Sequence, residues 1–386
     1  MKMLAKKTFL ILINLLSLFA LYAQERPTTV FYAKEEGYST FRIPAIIRLK
    51  NGDLLAFAEG RLNNGADFGH VNIVMKRSND NGRTWGILHV VATNGNLQTG
   101  NPAPVIDTDD PHYPKGRVFL FYNTGNASER EIREKKGVRE TWYITSSDNG
   151  NTWSEPANIT NEVSKINQPS LNSQWNHIED WRSYANTPGH AMQIKKGKYK
   201  GRLYIAANHS EGPPQNTFKD YIAHGFYSDD HGTSFHISEN NSLPGSNEST
   251  AAELSDGRIM MNSRNQQGNI LKRIVSISND GGIHWDSTYF DNQLPDPVCE
   301  GSLLTIQYKK KNNVLAFTNC ASTTNRDSLT LRISYDDGNT WKKSILINAG
   351  DAAYSDIVLL HENKLGILYE TDNYNKIVFI TVKYDR

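Results

Sequence analysis

Serine, aspartate and glycine recur in one fixed order five times along the chain, and these are residue types that can either ligate a hard cation or hold a turn. The first copy reads Ser78-Asn79-Asp80-Asn81-Gly82-Arg83-Thr84-Trp85. The others begin at Ser146, Ser228, Ser278 and Ser334 and end on Trp153, Phe235, Trp285 and Trp341; the fourth has His284 where the rest have Thr or Ser. A calcium loop needs about twelve residues and a late bidentate glutamate, and these boxes have neither. The remaining chemistry is structural. Ser and Asp side chains bond nearby backbone N–H groups, Gly supplies a positive φ, and the closing aromatic packs the turn onto a sheet. Cys299 and Cys320 are the only cysteines. They show no metal-site spacing and read as small buried residues rather than as a disulfide framework. No metal and no cofactor is therefore expected. Lys and Arg total 42 against 41 Asp and Glu, so nothing global favours nucleic acid or an anionic membrane. Any cationic site must be a local gathering of arginines.

The elements that would position such a site are short strands. Alternation precedes the boxes, as in Val71-Asn72-Ile73-Val74-Met75-Lys76 and Leu329-Thr330-Leu331-Arg332-Ile333. Successive boxes start 68, 82, 50 and 56 residues apart, a mean of 64, which suits four strands and their loops. Five boxed units and one without a box, built with strands from both termini, predict an all-β, six-bladed β-propeller of four-stranded antiparallel blades. The Asn-, Ser- and Trp-rich stretch 167–186 reads as an insertion above one blade. No linker divides 24–386, which is expected to be one domain. Ahead of it, Lys2, Lys6 and Lys7 precede the apolar stretch 9–23, which is shorter than a span and ends on Ala23. This reads as a signal peptide over 1–23 and predicts export to the periplasm or the exterior.

Phe41-Arg42-Ile43-Pro44, about 36 residues before the first box, together with the five boxes, resembles the bacterial and animal sialidase family. The resemblance runs from Phe41 to about Asp356. It implies a six-bladed propeller that removes terminal α-linked sialic acids. It also implies a site of three arginines, a tyrosine nucleophile with a glutamate partner, and an aspartate acid/base. The arginines match Arg42, Arg264 (in Met260-Met261-Asn262-Ser263-Arg264) and Arg326, which are 222 and 62 residues apart, so only a closed fold could unite them. Planar, permanently charged guanidinium suits the carboxylate that such a sugar carries on its anomeric carbon. The nucleophile matches Tyr354 and its partner Glu248, with Glu253 as the rival. A neutral phenol avoids the repulsion that a carboxylate nucleophile would meet there. Tyrosine nucleophiles are a recognised exception to the two-carboxylate rule. The acid/base matches Asp67. Arg61 and Asn101 match positions on the same side of the pocket.

One stretch departs from the family pattern, Asn186-Thr187-Pro188-Gly189-His190-Ala191 in place of a Gly-Pro-Gly type. His190 and residues 175–181 are expected to frame the rim, which leaves the identity of the sugar acid open. N-Acetylneuraminic acid is the expected substrate, with Kdn or Kdo as the alternative on the same machinery. A non-catalytic glycan-binding propeller is the alternative of another class; a lectin would need only the clamp, without Tyr354, Glu248 and Asp67. The expected partners are sialylated or related glycans, with no membrane span after signal removal, and the expected state is a monomer.

Overall fold

The structure is a computed structural model that describes residues 26–307, 313–361 and 363–384. The signal-peptide expectation over 1–23 lies outside the described residues. Strands dominate, and the two helices, Glu129–Arg133 and Thr160–Val163, are short. No described helix is long and apolar enough to cross a membrane.

Hydrogen bonding gathers the strands into four sheets of four, five, seven and eight strands. The four-stranded sheet, from Ser246–Glu253 to Ser287–Pro295, is an antiparallel meander of the expected kind. The larger sheets depart from separate four-stranded units for two local reasons. The 19-residue strand Lys343–His361 pairs first with Asp327–Ser334 and then with Lys364–Thr371, so one strand serves two groups. A single parallel pair, Val71 with Gln98, joins two further groups. The N-terminal strand Thr28–Tyr32 pairs with the C-terminal strand Lys376–Lys383, so the two ends of the described chain share a sheet.

Every box folds in the same way. In the first, the Ser78 hydroxyl donates to Asp80 Oδ1 (2.8 Å) and accepts from the Gly82 amide (2.8 Å), while the Thr84 amide and hydroxyl donate to Asp80 (3.0 and 2.7 Å). Gly82 has φ +85°, which a side chain rarely adopts. A Cβ there would lie 2.0 Å from Phe379 in the last strand, and Trp85 packs edge-on against that same ring. Later boxes lean back in the same sense: Gly150 on Leu55, Gly232 on Phe119, Gly282 on Tyr204 and Gly338 on Met260. Each staple thus rests on the group of strands before its own, and the first rests on the last.

The centre is held by a buried carboxylate. Asp356 accepts from the amides of Ile46, His190 and Ile357, from the Ser302 hydroxyl, and from His190 Nδ1 at 2.6 Å. Ile46, His190 and Ser302 come from distant stretches of sequence, so one side chain ties separate parts of the chain together.

Candidate active site

All eight side chains singled out by the sequence line one cavity: Arg42, Arg61, Asp67, Asn101, Glu248, Arg264, Arg326 and Tyr354. They arrive from strand ends and from the loops that follow them. Arg42 lies on Thr40–Arg48, where the pairing slips between Arg42 and Ala45. There Ile43 adopts φ +58°, a strained conformation for a β-branched residue. This kink turns the Ile43 amide toward Glu370 Oε1 (2.8 Å), the same oxygen that accepts from Arg42 Nε at 2.7 Å. Glu370 therefore fixes Arg42, and its other oxygen accepts from the Tyr354 amide (3.2 Å). Arg42 also lies over the Tyr374 ring, 4.2 Å from its centroid.

The Tyr354 hydroxyl is the most constrained atom of the site. It donates to Glu248 Oε1 at 2.5 Å and accepts from Arg264 NH1 at 2.9 Å. Arg264 also pairs with Glu248 Oε2 at 2.7 Å and donates to Asn247 Oδ1 at 2.8 Å. The Arg42 and Arg326 guanidiniums stand 5.6 and 5.5 Å from the centroid of the Tyr354 ring, so all three arginines surround one phenol. Burial pushes the Tyr354 pKa well above 10, with Arg264 opposing and Glu248 reinforcing the shift. The resting group is a phenol. Burial also raises the Glu248 pKa, against the opposing charge of Arg264.

Asp67 sits in the loop after Leu54–Arg61 with its side chain 73 % exposed, and pairs with Arg61 at 2.9 Å. Desolvation favours its protonated form, but the charges of Arg61 and Arg42 outweigh this and hold its pKa below the usual range. Arg61 itself is almost fully buried and is held by Glu59 Oε2 (2.7 Å) and the Gly65 carbonyl (2.6 Å). The other oxygen of Glu59 accepts from the Asn101 amide (3.0 Å). Gly100 permits that approach, since a Cβ there would lie 2.4 Å from Glu59 Oε1. The rival glutamate Glu253 does not line the cavity; it accepts from the amides of Lys195 and Lys196.

Two acids went unassigned from sequence, Glu59 and Glu370. Each is a buried carboxylate that follows an apolar run in its strand (LLAFAEGR and KLGILYET). Such a residue must be paired to be tolerated, and that was the available signal. The rim expectation for His190 is corrected. His190 is 8 % exposed and is tied to Asp356 at the centre, because a buried imidazole and carboxylate satisfy each other. In the stretch 175–181, Trp175 and Trp181 are buried, Trp181 stacking on His209 with centroids 3.6 Å apart, while Ile178 is exposed, and none of the stretch lines the cavity. Cys299 and Cys320 are both buried and free.

For a metal, the grouping among the described residues is Asp107, Asp110 and His231. Its charge is already answered: Arg117 pairs with Asp110 at 3.1 Å, and Asp107 accepts from His231 and Gln193 at 2.7 Å each. These groups staple a box to its neighbour and lie away from the cavity.

The family of BNR repeat-like domains matches residues 52–367. A protein named "Sialidase" from Micromonospora viridifaciens is 33% identical over 350 residues, covering 87% of this chain and 50% of that protein, so the chain spans about half the length of that relative. An "Exo-alpha-sialidase" from Arthroderma benhamiae is 30% identical over 370 residues, covering 88% of this chain and 79% of the relative. Among solved structures, "Hadza microbial sialidase Hz136" superposes with a TM-score of 0.77 at 25% identity, covering 92% of this chain and 68% of its own. An intramolecular trans-sialidase from Ruminococcus gnavus superposes at 0.73 with 16% identity, covering 93% and 97%, a likeness of fold.

Proposed function

The chain belongs to the exo-α-sialidase family with its BNR repeat-like domain, and from that premise we propose that it is an exported, retaining exo-glycosidase that releases terminal α-linked sialic acids from glycans. The observation that carries this reading is the Tyr354 hydroxyl, held between Glu248 at 2.5 Å and Arg264 at 2.9 Å. A phenol that is merely packed has no use for both a base and a permanent cation at its oxygen.

The chemistry follows from that placement. Arg42, Arg264 and Arg326 bind the sugar carboxylate, whose charge would repel an anionic nucleophile. Glu248 takes the phenolic proton as the Tyr354 oxygen forms a bond to the anomeric carbon. The bond from that carbon to the aglycone oxygen breaks, and Asp67 supplies the proton the leaving oxygen needs. In the second half Asp67 takes a proton from water, the water oxygen bonds to the anomeric carbon, and Tyr354 leaves and recovers its proton from Glu248. Two displacements on one carbon give net retention. Arg61 and Asn101 are assigned to the sugar's substituents near Asp67.

We read 24–386 as one six-bladed propeller acting as a monomer. The support is the succession of boxes, each resting on the group before it, and the pairing of the two terminal strands. The lysine-flanked apolar N-terminal stretch supports export. The test is a fluorogenic α-sialoside with the released sugar followed by NMR. The α-anomer is expected first, changing to β afterwards. Release of β first, or no release from α-linked sialosides, would overturn the reading.

A further inference from the structure

Beside Arg42, Arg61, Arg264 and Arg326 the cavity holds a fifth arginine, to which the reaction above gives no role. Arg139 is 7 % exposed and lines the pocket, yet its guanidinium makes no hydrogen bond or ion pair with any described residue, and its Nε is buried without a partner. A buried cation with five donors and no acceptor is costly unless something else completes it. Its position is built by the sheet. Gln98, Gly125 and Arg139 are successive partners across three antiparallel strands, so their side-chain positions share a face. Gly125 leaves the middle of that row open, and a Cβ there would lie 2.7 Å from Gln98 Oε1 and 3.6 Å from Arg139 Cγ. Gln98 Oε1 is likewise buried and unpartnered. Glu129 completes the wall. Its Oε1 accepts from Ser183 and Tyr221, and the charge of Arg139 acts on its carboxylate. Gln98 and Glu59 both flank Gly100, where a Cβ would lie 3.4 Å from Gln98 Nε2 and 2.4 Å from Glu59 Oε1, so the Gln98 end of this wall adjoins the Arg61–Asn101 side of the pocket, while its Glu129 end feels the charge of Arg264.

We infer that Gln98, Arg139 and Glu129 form a second recognition subsite for hydroxyls on the sugar edge distal to the carboxylate, so that the preferred substrate carries a hydroxyl rather than an acylamino group at C5. The inference rests on the sialic-acid reading above and narrows it to the 5-hydroxy member, Kdn. A hydroxyl both donates and accepts, and this wall offers a free guanidinium and two free acceptors to match it. An N-acetyl group would add a methyl that needs an apolar recess. The apolar residues Ile43 and Val298 belong to the clamp side, beside Arg42 and Arg326, and the far wall adds only Ala185. A methyl placed against Arg139 would seal the cation without a partner.

The experiment measures two things on the full chain: kcat/KM for aryl α-glycosides of Kdn and of N-acetylneuraminic acid, and calorimetric binding of the 2,3-didehydro form of each sugar. The Kdn compounds are expected to be favoured at least tenfold in both. In Arg139→Leu that ratio should fall at least tenfold, and Gln98→Leu provides a second reading should the first variant fail to fold. A preference for the acetamido sugar, or a ratio unmoved in the folded variants, overturns the inference. Retained Kdn-selective binding without turnover of either glycoside would leave the subsite standing and sink the hydrolase reading. Failure of both ligands to bind would sink both.

Discussion

The pocket pushes its two proposed proton carriers in opposite directions. Burial raises the pKa of Glu248, whereas Asp67 is held low because Arg61 and Arg42 outweigh its desolvation. Attack by Tyr354 requires Glu248 ionised and Asp67 protonated, which is the reverse of their resting preference. The competent form is most populated between the two pKa values, so kcat/KM should be bell-shaped with its maximum on the acid side of neutrality. Asp67→Ala separates the limbs. With a good aryl leaving group, protonation is dispensable, so activity should persist and the alkaline limb should flatten. On natural glycosides the same variant should lose about 10²–10⁴-fold. An unchanged alkaline limb would show that another acid serves. Tyr354→Phe should lower turnover by on the order of 10³-fold or more while the melting temperature holds, because Arg264 and Glu248 still pair directly. Near-normal turnover in that variant would remove Tyr354 from its role. At this scale much of the site was legible. Arg42 stands in the short motif that carries the family resemblance, and Tyr354 and Glu248 were matched through that resemblance, with spacing serving only to prefer Glu248 over Glu253; all three line the one cavity. Glu59, Glu370 and Arg139 were not, because a buried charge in a strand announces that it needs a partner without naming which one.

Among the elements, the boxes were the most legible, since their side chains bond within eight residues and no long-range information is required. In the second box Asp148 accepts from the Thr152 amide and hydroxyl at 2.9 and 2.6 Å. Desolvation works against that carboxylate, but these hydrogen bonds, with those from Ser146 and Asn151, outweigh it and hold its pKa at about 2. A depressed carboxyl contributes stability that is present above its unfolded pKa and lost as pH falls through the folded one. Asp148→Asn should therefore lower the melting temperature at pH 6, and the deficit should shrink as pH falls toward 2 and disappear below it. Trp153→Ala, which removes the ring set edge-on against Phe57, should cost about 1–4 kcal/mol. In both variants KM should match the parent, because the boxes lie away from the cavity. A stable variant with lost activity would contradict the staple assignment. The joins between sheets were not legible. Within Lys343–His361 the stretch up to Asp351 is largely exposed and Ala352–Val358 is buried without a break, but a change of burial does not say that one strand runs on from its first partner to its second.

At the scale of the molecule, Asp356, two residues after Tyr354, ties together stretches that lie far apart in sequence. The sequence marked His190 as a departure from the family pattern but gave no means of seeing that it points inward, because its partner lies 166 residues away. Burial disfavours the imidazolium, but the Asp356 charge outweighs that and raises the His190 pKa. A raised histidine contributes stability that is fully present below its unfolded pKa near 6.5 and lost as pH rises through the folded value. His190→Ala should destabilise the protein by about 3–5 kcal/mol in mildly acidic buffer, the range for removing one partner of a buried ion pair. The amides of Ile46, His190 and Ile357 and the Ser302 hydroxyl remain on Asp356, which favours the lower end. The gap between variant and parent should narrow as pH is raised past the folded pKa, because the parent then loses the same interaction. Chemical denaturation of both proteins across pH 5 to 10 reads this directly. A gap that stays constant would mean that His190 stabilises by filling space and that its charge is immaterial. A gap that widens with pH would assign the stabilisation to the neutral imidazole, not to the ion pair.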